Sequence, residues 1–214
     1  MAQRQDHARP RPRLYLVTPA MADPAAAVAL LGPALAAGDI AAVLLRLAAA
    51  DERTLINRIK ALAPAVQDRG AALLLDGQPE LVSRAGADGA HLTGIDALKE
   101  AIGGLKPDRI AGGGGLATRH DAMLVAEAGA DYVMFGEPTP QGHRPSFEAI
   151  VERALWWTEV FQIPCVAYAA NRDEVGRLAA AEFVALGDFV FSDPRGPAAA
   201  VADAAERLTT ETLA

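Results

Sequence analysis

Residues 85–93 read Ala-Gly-Ala-Asp-Gly-Ala-His-Leu-Thr, and residues 128–136 read Ala-Gly-Ala-Asp-Tyr-Val-Met-Phe-Gly. In each stretch the first glycine suits the left-handed end of a helix, and the alanines allow that helix and the following strand to pack closely. A weaker echo, Ala180-Ala-Glu182, precedes another apolar run. The first two copies start 43 residues apart, about two βα units. Such recurrence favours a symmetric barrel over a sheet with a topological switch point.

Short apolar runs alternate with helical segments along the rest of the chain. The runs are apolar nearly throughout, as in parallel strands that are covered on both faces. We predict strands at Leu14–Thr18, Ile40–Leu47, Ala71–Asp76, Gly89–Leu92, Arg109–Gly112, Tyr132–Gly136, Pro164–Ala169 and Phe183–Val190. We predict helices at Pro24–Ala37, Glu52–Arg69, Glu80–Ala85, Asp96–Ile102, Arg119–Ala128, Ser146–Phe161, Arg172–Ala180 and Pro197–Leu208. Eight of each predict an α/β protein with a single (β/α)8 TIM barrel.

Length and charge limit the class of protein. The chain has 214 residues, of which 51% are hydrophobic, and this suits one barrel domain. We predict a disordered basic N-terminal arm at residues 1–12 and the barrel at residues 13–214. A net charge of −7 gives no general attraction to nucleic acid or to an anionic membrane, so a small molecule is the expected partner. The arm lacks the apolar core of a signal peptide, and we expect a cytoplasmic protein.

Charged residues lie at or just after the ends of three predicted strands, at the end of the barrel where active sites form. Arg46 is either an anion clamp or a residue that reaches solvent or pairs with a carboxylate. Asp76 is either a turn residue or a carboxylate that faces the barrel mouth, and Asp96 could be a helix cap. Together the two carboxylates could share a hard cation such as Mg²⁺. His91 is either a satisfied core histidine or a catalytic residue.

Two loops are further candidates for binding. Four glycines, Gly112 to Gly115, precede a helix whose first turn contains His120, and their backbone N–H groups could cradle an anion or simply serve a tight turn. The polar segment Gly136–Arg144 follows the sixth strand and contains Glu137 and Thr139. It has the character of a lid or substrate loop.

Four motifs make the chain resemble the thiamine phosphate synthase and thiazole tautomerase family. Leu14-Tyr-Leu-Val-Thr18 resembles the opening strand of that family, and residues 87–96 and 129–136 resemble its strand-four and strand-six motifs. Ile163-Pro-Cys-Val-Ala matches the approach to its seventh strand. The resemblance runs in order from about Arg13 to Leu208. It implies a transferase that joins hydroxymethylpyrimidine diphosphate to thiazole phosphate, releases diphosphate and uses Mg²⁺.

The resemblance assigns roles by position. Arg46 would meet the diphosphate, and Asp76 and Asp96 would be the magnesium carboxylates. The catalytic candidates are Arg46, His91 and His120, the last because the tautomerase branch uses a histidine near the start of this helix. The candidates for binding a phosphorylated heterocyclic substrate are Arg46, Gly113, Gly114, Gly115, Gly136, Glu137, Thr139 and Ser192. A homodimer is a possible assembly.

Several positions depart from the family pattern. Ala48 stands where the family has the strand-two lysine, and Gly115 stands where it has the serine after strand five. Residues 137–143 replace the family's threonine- and lysine-containing loop after strand six. The serine after strand eight aligns with Asp188 or is displaced to Ser192. Losing several charge-assisted donors at about 1.5–3 kcal/mol each would weaken diphosphate binding. We therefore expect a synthase with a degenerate diphosphate site. The alternatives are a tautomerase-like isomerase or a catalytically silent ligand-binding barrel.

Overall fold

A closed parallel barrel of eight strands forms the centre of the molecule, with the strands in chain order. The computed structural model describes residues 11–139 and 141–212, so most of the predicted arm, residues 1–10, lies outside the described residues. The strands are β1 (Arg13–Val17), β2 (Ile40–Leu45), β3 (Ala72–Asp76), β4 (Gly89–Thr93), β5 (Ile110–Gly114), β6 (Tyr132–Phe135), β7 (Cys165–Ala169) and β8 (Phe183–Leu186). β1 pairs with both β2 and β8, which closes the barrel. The predicted (β/α)8 barrel is confirmed.

Seven α-helices surround the barrel within the described ranges. They are α1 (Pro24–Ala36), α2 (Glu52–Gln67), α3 (Pro79–Ala85), α4 (Ile95–Leu105), α5 (Arg119–Glu127), α6 (Phe147–Val160) and α7 (Pro197–Thr212). Side-chain caps begin several of them, including Asp51 before α2 and Thr118 before α5. None of the helices in residues 11–139 and 141–212 combines the length and the hydropathy that crossing a membrane requires.

The repeated carboxylates tie pairs of strands together. Asp88, just before β4, accepts a hydrogen bond from the backbone N–H of Leu73 at 2.7 Å. Asp131, just before β6, accepts one from Ala111 at 2.7 Å, and Glu182, just before β8, accepts one from Cys165 at 2.9 Å. Each carboxylate therefore satisfies a backbone donor at the start of the preceding odd-numbered strand. This shared bond is the physical reason for the sequence repeat.

Two separate apolar clusters stabilise the barrel. The larger lies between the strands and the helices and includes Trp157 and Phe135, both fully buried. The smaller fills the barrel interior and contains Tyr15, Tyr132 and Tyr168. A buried tyrosine hydroxyl needs a hydrogen-bond partner, and those of Tyr15 and Tyr132 bond each other at 2.9 Å.

The glycine run after residue 111 is part of a strand, and the prediction of a four-glycine loop is wrong. Gly112, Gly113 and Gly114 belong to β5 and pair with β4. A Cβ atom at Gly112 would overlap Tyr132, and one at Gly113 would overlap Val125. The glycines therefore make room for side chains of neighbouring elements inside the ladder.

The predicted helix Arg172–Ala180 is also wrong. The segment between β7 and β8 consists of turns and one short 3₁₀ helix, Gly176–Leu178. The Asn171 carboxamide accepts hydrogen bonds from the backbone N–H groups of Asp173 and Glu174, as an N-cap does, but no α-helix continues from it. The eighth strand is shorter than predicted, because a 3₁₀ helix, Asp188–Val190, follows Leu186.

Replacing Gly89 with alanine should destabilise the barrel. The added Cβ would overlap the backbone carbonyl and Cβ of Ile110 across the β4–β5 ladder, and neither group can move without bending a strand. We expect the free energy of unfolding to fall by about 2–3 kcal/mol in urea titrations. Gly103→Ala is the matched control, because Gly103 is exposed on α4 and no atom lies within 4 Å of the Cβ that the substitution adds. It should raise the free energy of unfolding by up to about 1 kcal/mol, since alanine has the higher helix propensity. Equal stability of the two variants would contradict the packing described for β4 and β5.

Candidate active site

A cavity of about 480 Å³ lies at the carboxyl ends of the strands, and we call it the mouth cavity. Its wall is formed by Arg46, Asp76, Thr93, Gly115, Glu137, Pro138 and Thr139. These residues follow or end β2, β3, β4, β5 and β6, so barrel closure brings together positions up to 93 residues apart in sequence, from 46 to 139. The position agrees with the face on which enzymes of this architecture act.

Arg46 and Asp76 form an ion pair in the wall of the mouth cavity. Nε of Arg46 donates to Oδ2 of Asp76 at 2.8 Å, and the side chains are 27% and 29% exposed. Burial alone would lower the pKa of Arg46, but the hydrogen bond and charge of Asp76 raise it. Arg46 therefore pairs with a carboxylate and also lines the mouth cavity, and its role as an anion clamp stays a prediction.

A chain of hydrogen bonds runs from the barrel interior to the mouth cavity. Oη of Tyr15 lies 2.9 Å from Oη of Tyr132, which lies 2.9 Å from Nδ1 of His91. Nε2 of His91 lies 2.9 Å from Oε2 of Glu137, and the other carboxylate oxygen accepts the backbone N–H of Gly115. His91 is only 1% exposed, both of its ring nitrogens have partners, and it is linked to a cavity-lining carboxylate, so its predicted catalytic role stays a prediction.

Each member of the His91–Glu137 pair favours the charged form of the other. Burial alone would lower the pKa of His91, but the neighbouring Glu137 carboxylate raises it above 6.5. Burial would raise the pKa of Glu137, but His91 and the Gly115 N–H lower it below 4.5. Burial raises the pKa of Tyr132 well above 10.0, so its hydroxyl stays protonated. When both imidazole nitrogens are protonated, Nδ1–H donates to the hydroxyl of Tyr132.

The remaining predicted site residues divide between the cavity and the surface. Gly115, Glu137 and Thr139 line the mouth cavity. The Cβ direction of Gly114 is filled by Glu137 and His91, that of Gly113 by Val125, and that of Gly136 by Ile150. Asp96 and His120 are exposed in the first turns of α4 and α5, and exposed Ser192 donates to the carbonyl of Asp188. Their predicted roles stay predictions.

The carboxylates offer Mg²⁺ a small donor set. Residues 11–139 and 141–212 contain no group of three or more His, Cys, Asp or Glu side chains that could hold a metal. Asp76 lines the mouth cavity, with Oδ2 bonded to Arg46, whereas Asp96 is not part of that wall. Mg²⁺ usually binds one or two carboxylates together with substrate phosphates and waters. The residues present therefore fit an ion that arrives with a phosphorylated substrate.

A larger groove of about 530 Å³ lies elsewhere, between residues 172–177 and α7. Its arginines are engaged: Arg195 pairs with Asp193 and Asp203, at 2.8 and 2.7 Å. It contains none of the strand-end residues that line the mouth cavity. We therefore place the site at the mouth cavity, despite its smaller volume.

Sequence patterns did not identify Tyr132, Tyr15 or Thr93 as parts of the site. The available signal was chemical, since a tyrosine in a buried strand must satisfy its hydroxyl. Arg144 was treated as part of a lid, but it bonds Glu174 through two nitrogens at 3.0 and 3.1 Å and donates to the carbonyl of Tyr168. It joins the β6 loop to the β7–β8 segment.

Comparison with known proteins identifies the family. The family model described as thiamine monophosphate synthase matches residues 14–186. The chain belongs to the thiamine monophosphate synthase family. A thiamine-phosphate synthase of Rhodospirillum centenum is 41% identical over 196 residues, covering 89% of this chain and 95% of the relative. One from Hyphomonas neptunium is 36% identical over 203 residues, covering 90% and 92%.

Solved structures agree with the barrel. A thiamine phosphate pyrophosphorylase from Pyrococcus furiosus superposes with a TM-score of 0.74, covering 93% of this chain and 96% of that one. At 20% identity this likeness shows the fold alone. The resemblance inferred from the strand-four and strand-six motifs is therefore confirmed for family and fold, and the degenerate diphosphate site of this family member stays a prediction.

Glu137→Gln should lower the pKa of His91. The wild-type value should lie above 6.5, and without the carboxylate charge burial should bring it below 6.5. Nitrogen-15 NMR titration of the imidazole measures both values. Glu152→Gln, which removes an exposed carboxylate paired with Arg119, is the control and should leave His91 unchanged. A His91 pKa that is the same in wild type and Glu137→Gln would contradict the ion pair.

The same pair should contribute to stability within a defined pH window. The lowered pKa of Glu137 stabilises the folded state above pH 4.5, and the raised pKa of His91 stabilises it below pH 6.5. The loss in free energy of unfolding caused by Glu137→Gln, about 3 kcal/mol, should be greatest between these values. Urea titrations across the pH range measure it, and a loss that is greatest at pH 8 would count against this assignment.

Proposed function

We propose that this protein is a thiamine phosphate synthase that joins hydroxymethylpyrimidine diphosphate to thiazole phosphate in thiamin biosynthesis. The observation that carries the proposal is the cavity-facing Arg46 at the strand ends of a chain that is 41% identical to a protein named thiamine-phosphate synthase. In the reaction the carbon–oxygen bond to diphosphate breaks, and the oxygen keeps the electron pair. The thiazole partner then bonds to the carbon.

Arg46 has the chemistry to bind the departing group. Its Nε is held by Asp76, and no hydrogen bond joins Nη1 or Nη2 to another residue in the described ranges. Two guanidinium N–H groups can therefore meet phosphate oxygens side by side. Asp76 fixes the plane of the guanidinium, which lowers the entropy lost when a ligand binds. The exposed Asp188 also acts electrostatically on Arg46 and opposes an anionic guest.

The proposed cofactor is Mg²⁺, held by Asp76 together with the substrate diphosphate, with Asp96 as the predicted second carboxylate. When bound, the ion would neutralise charge on the diphosphate. Glu137 and His91 give the cavity a carboxylate whose position is fixed by two hydrogen bonds. That carboxylate can accept an N–H of a heterocyclic substrate or stabilise positive charge that develops on it. The cytoplasmic location and the homodimer stay predictions.

A second candidate is a tautomerase-like isomerase. It is favoured by one observation, the buried His91–Glu137 pair at the cavity wall, because such a pair can move a proton to and from a ligand. His120 does not line the mouth cavity, so the geometry favours Glu137 over His120 for this role. Conversion of a thiazole phosphate isomer by the protein, without the pyrimidine substrate, would support the isomerase over the synthase.

Arg46→Gln should lower synthase activity strongly. We expect the wild-type protein, given both phosphorylated substrates and Mg²⁺, to form thiamine phosphate, and a chelator to abolish the product. Arg46→Gln should lower kcat/KM by about 100-fold, because a charge-assisted pair to the leaving group is lost. Arg69→Gln, at an exposed position after α2, should retain full activity. No product above a heat-inactivated control would overturn the proposal.

A further inference from the structure

A side compartment of about 330 Å³ opens next to the mouth cavity, between the loops that follow β5 and β6. The two spaces share Gly115, Glu137 and Thr139, so one ligand can reach into both. The side compartment extends from these residues to His143 in the β6–α6 loop and Arg153 on α6.

Most charges around the side compartment already have partners. Arg144 is paired with Glu174 at 3.0 Å and donates to the carbonyl of Gly136 at 3.2 Å. The Glu137 carboxylate is paired with His91 and bonded to the Gly115 N–H. These groups hold the loops in place, and their charges cancel in pairs.

Arg153 differs from these groups. Its side chain is partly buried, and it donates one long hydrogen bond, 3.4 Å from Nη1 to the carbonyl of Leu116. Within residues 11–139 and 141–212, no carboxylate lies within 4 Å of its guanidinium nitrogens. Its guanidinium therefore keeps N–H groups that are available to an anion.

We propose that the side compartment binds a phosphoryl group, with Arg153 as its principal ligand and His143 as a second donor. The proposal deepens the proposed function and rests on it for the choice of substrates. Guanidinium nitrogens can bond two phosphoryl oxygens in parallel, which matches the geometry that Arg153 leaves available. Arg153 on α6 would thereby supply positive charge to the barrel mouth. Residue 48 there is alanine where the family pattern has lysine, and Arg46 is already paired with Asp76.

The first experiment measures binding without turnover. Isothermal titration calorimetry with inorganic phosphate and with pyrophosphate should show binding to the wild-type protein. Arg153→Gln should weaken binding about tenfold or more, and Arg153→Lys should weaken it less. Arg69→Gln removes the same charge at an exposed position outside the compartment and should bind like the wild type. Thermal-shift measurements accompany the titrations. For each variant, the Tm with ligand is compared with the Tm of the same variant without ligand, so that destabilisation caused by losing the Leu116 contact is not mistaken for lost binding.

The second experiment identifies which substrate phosphate occupies the compartment. An increase in KM for thiazole phosphate alone in Arg153→Gln would assign the monoester, and an increase for the pyrimidine diphosphate alone would assign the diphosphate. Either result supports the proposal. Wild-type binding of phosphate and pyrophosphate in Arg153→Gln, with both KM values unchanged, would overturn it. Anion binding that depends on Arg153 in a protein that forms no thiamine phosphate would refute the synthase function and leave the compartment supported.

Discussion

Two positions without side chains in β5, Gly112 and Gly114, create the space on which the barrel mouth depends. Gly112 leaves room for Tyr132, and Gly114 leaves room for the contact between His91 and Glu137. A methyl group at position 114 would displace both members of the ion pair, and one at position 112 would displace the tyrosine that bonds to His91. The buried charge pair is therefore possible because a central strand gives up packing volume, which ordinary strands do not.

The fold could be predicted because its signals are local and repeated. Asp88, Asp131 and Glu182 recur at every second βα unit, since each bonds the start of the preceding odd-numbered strand. The segment after β7 could not be predicted in this way. Its turns depend on Glu174, which is held by Arg144 from a loop 30 residues earlier, and helix propensity does not include such a contact. The glycines of β5 were predicted as a loop for a related reason, because the side chains that fill the space beside them come from other elements.

The candidate site was predictable where strand direction alone decided it. Arg46 and Asp76 end neighbouring parallel strands, so barrel closure must bring them together. Whether a residue in a helix's first turn faces the mouth depends on the orientation of that helix, and Asp96 therefore could not be placed from sequence. The bond between His91 and Glu137 joins residues 46 positions apart, and it depends on the absent side chain of Gly114.

The proposed function requires an anion-binding space at the barrel mouth, with Arg46 in the mouth cavity and Arg153 in the adjoining side compartment as its cationic groups. A crystal structure of the protein soaked with pyrophosphate and Mg²⁺ measures this most directly. We expect phosphoryl density within hydrogen-bond distance of Arg46 in the mouth cavity or of Arg153 in the side compartment. Density confined to the groove beside α7, or an Arg46 side chain directed away from the cavity, would contradict it.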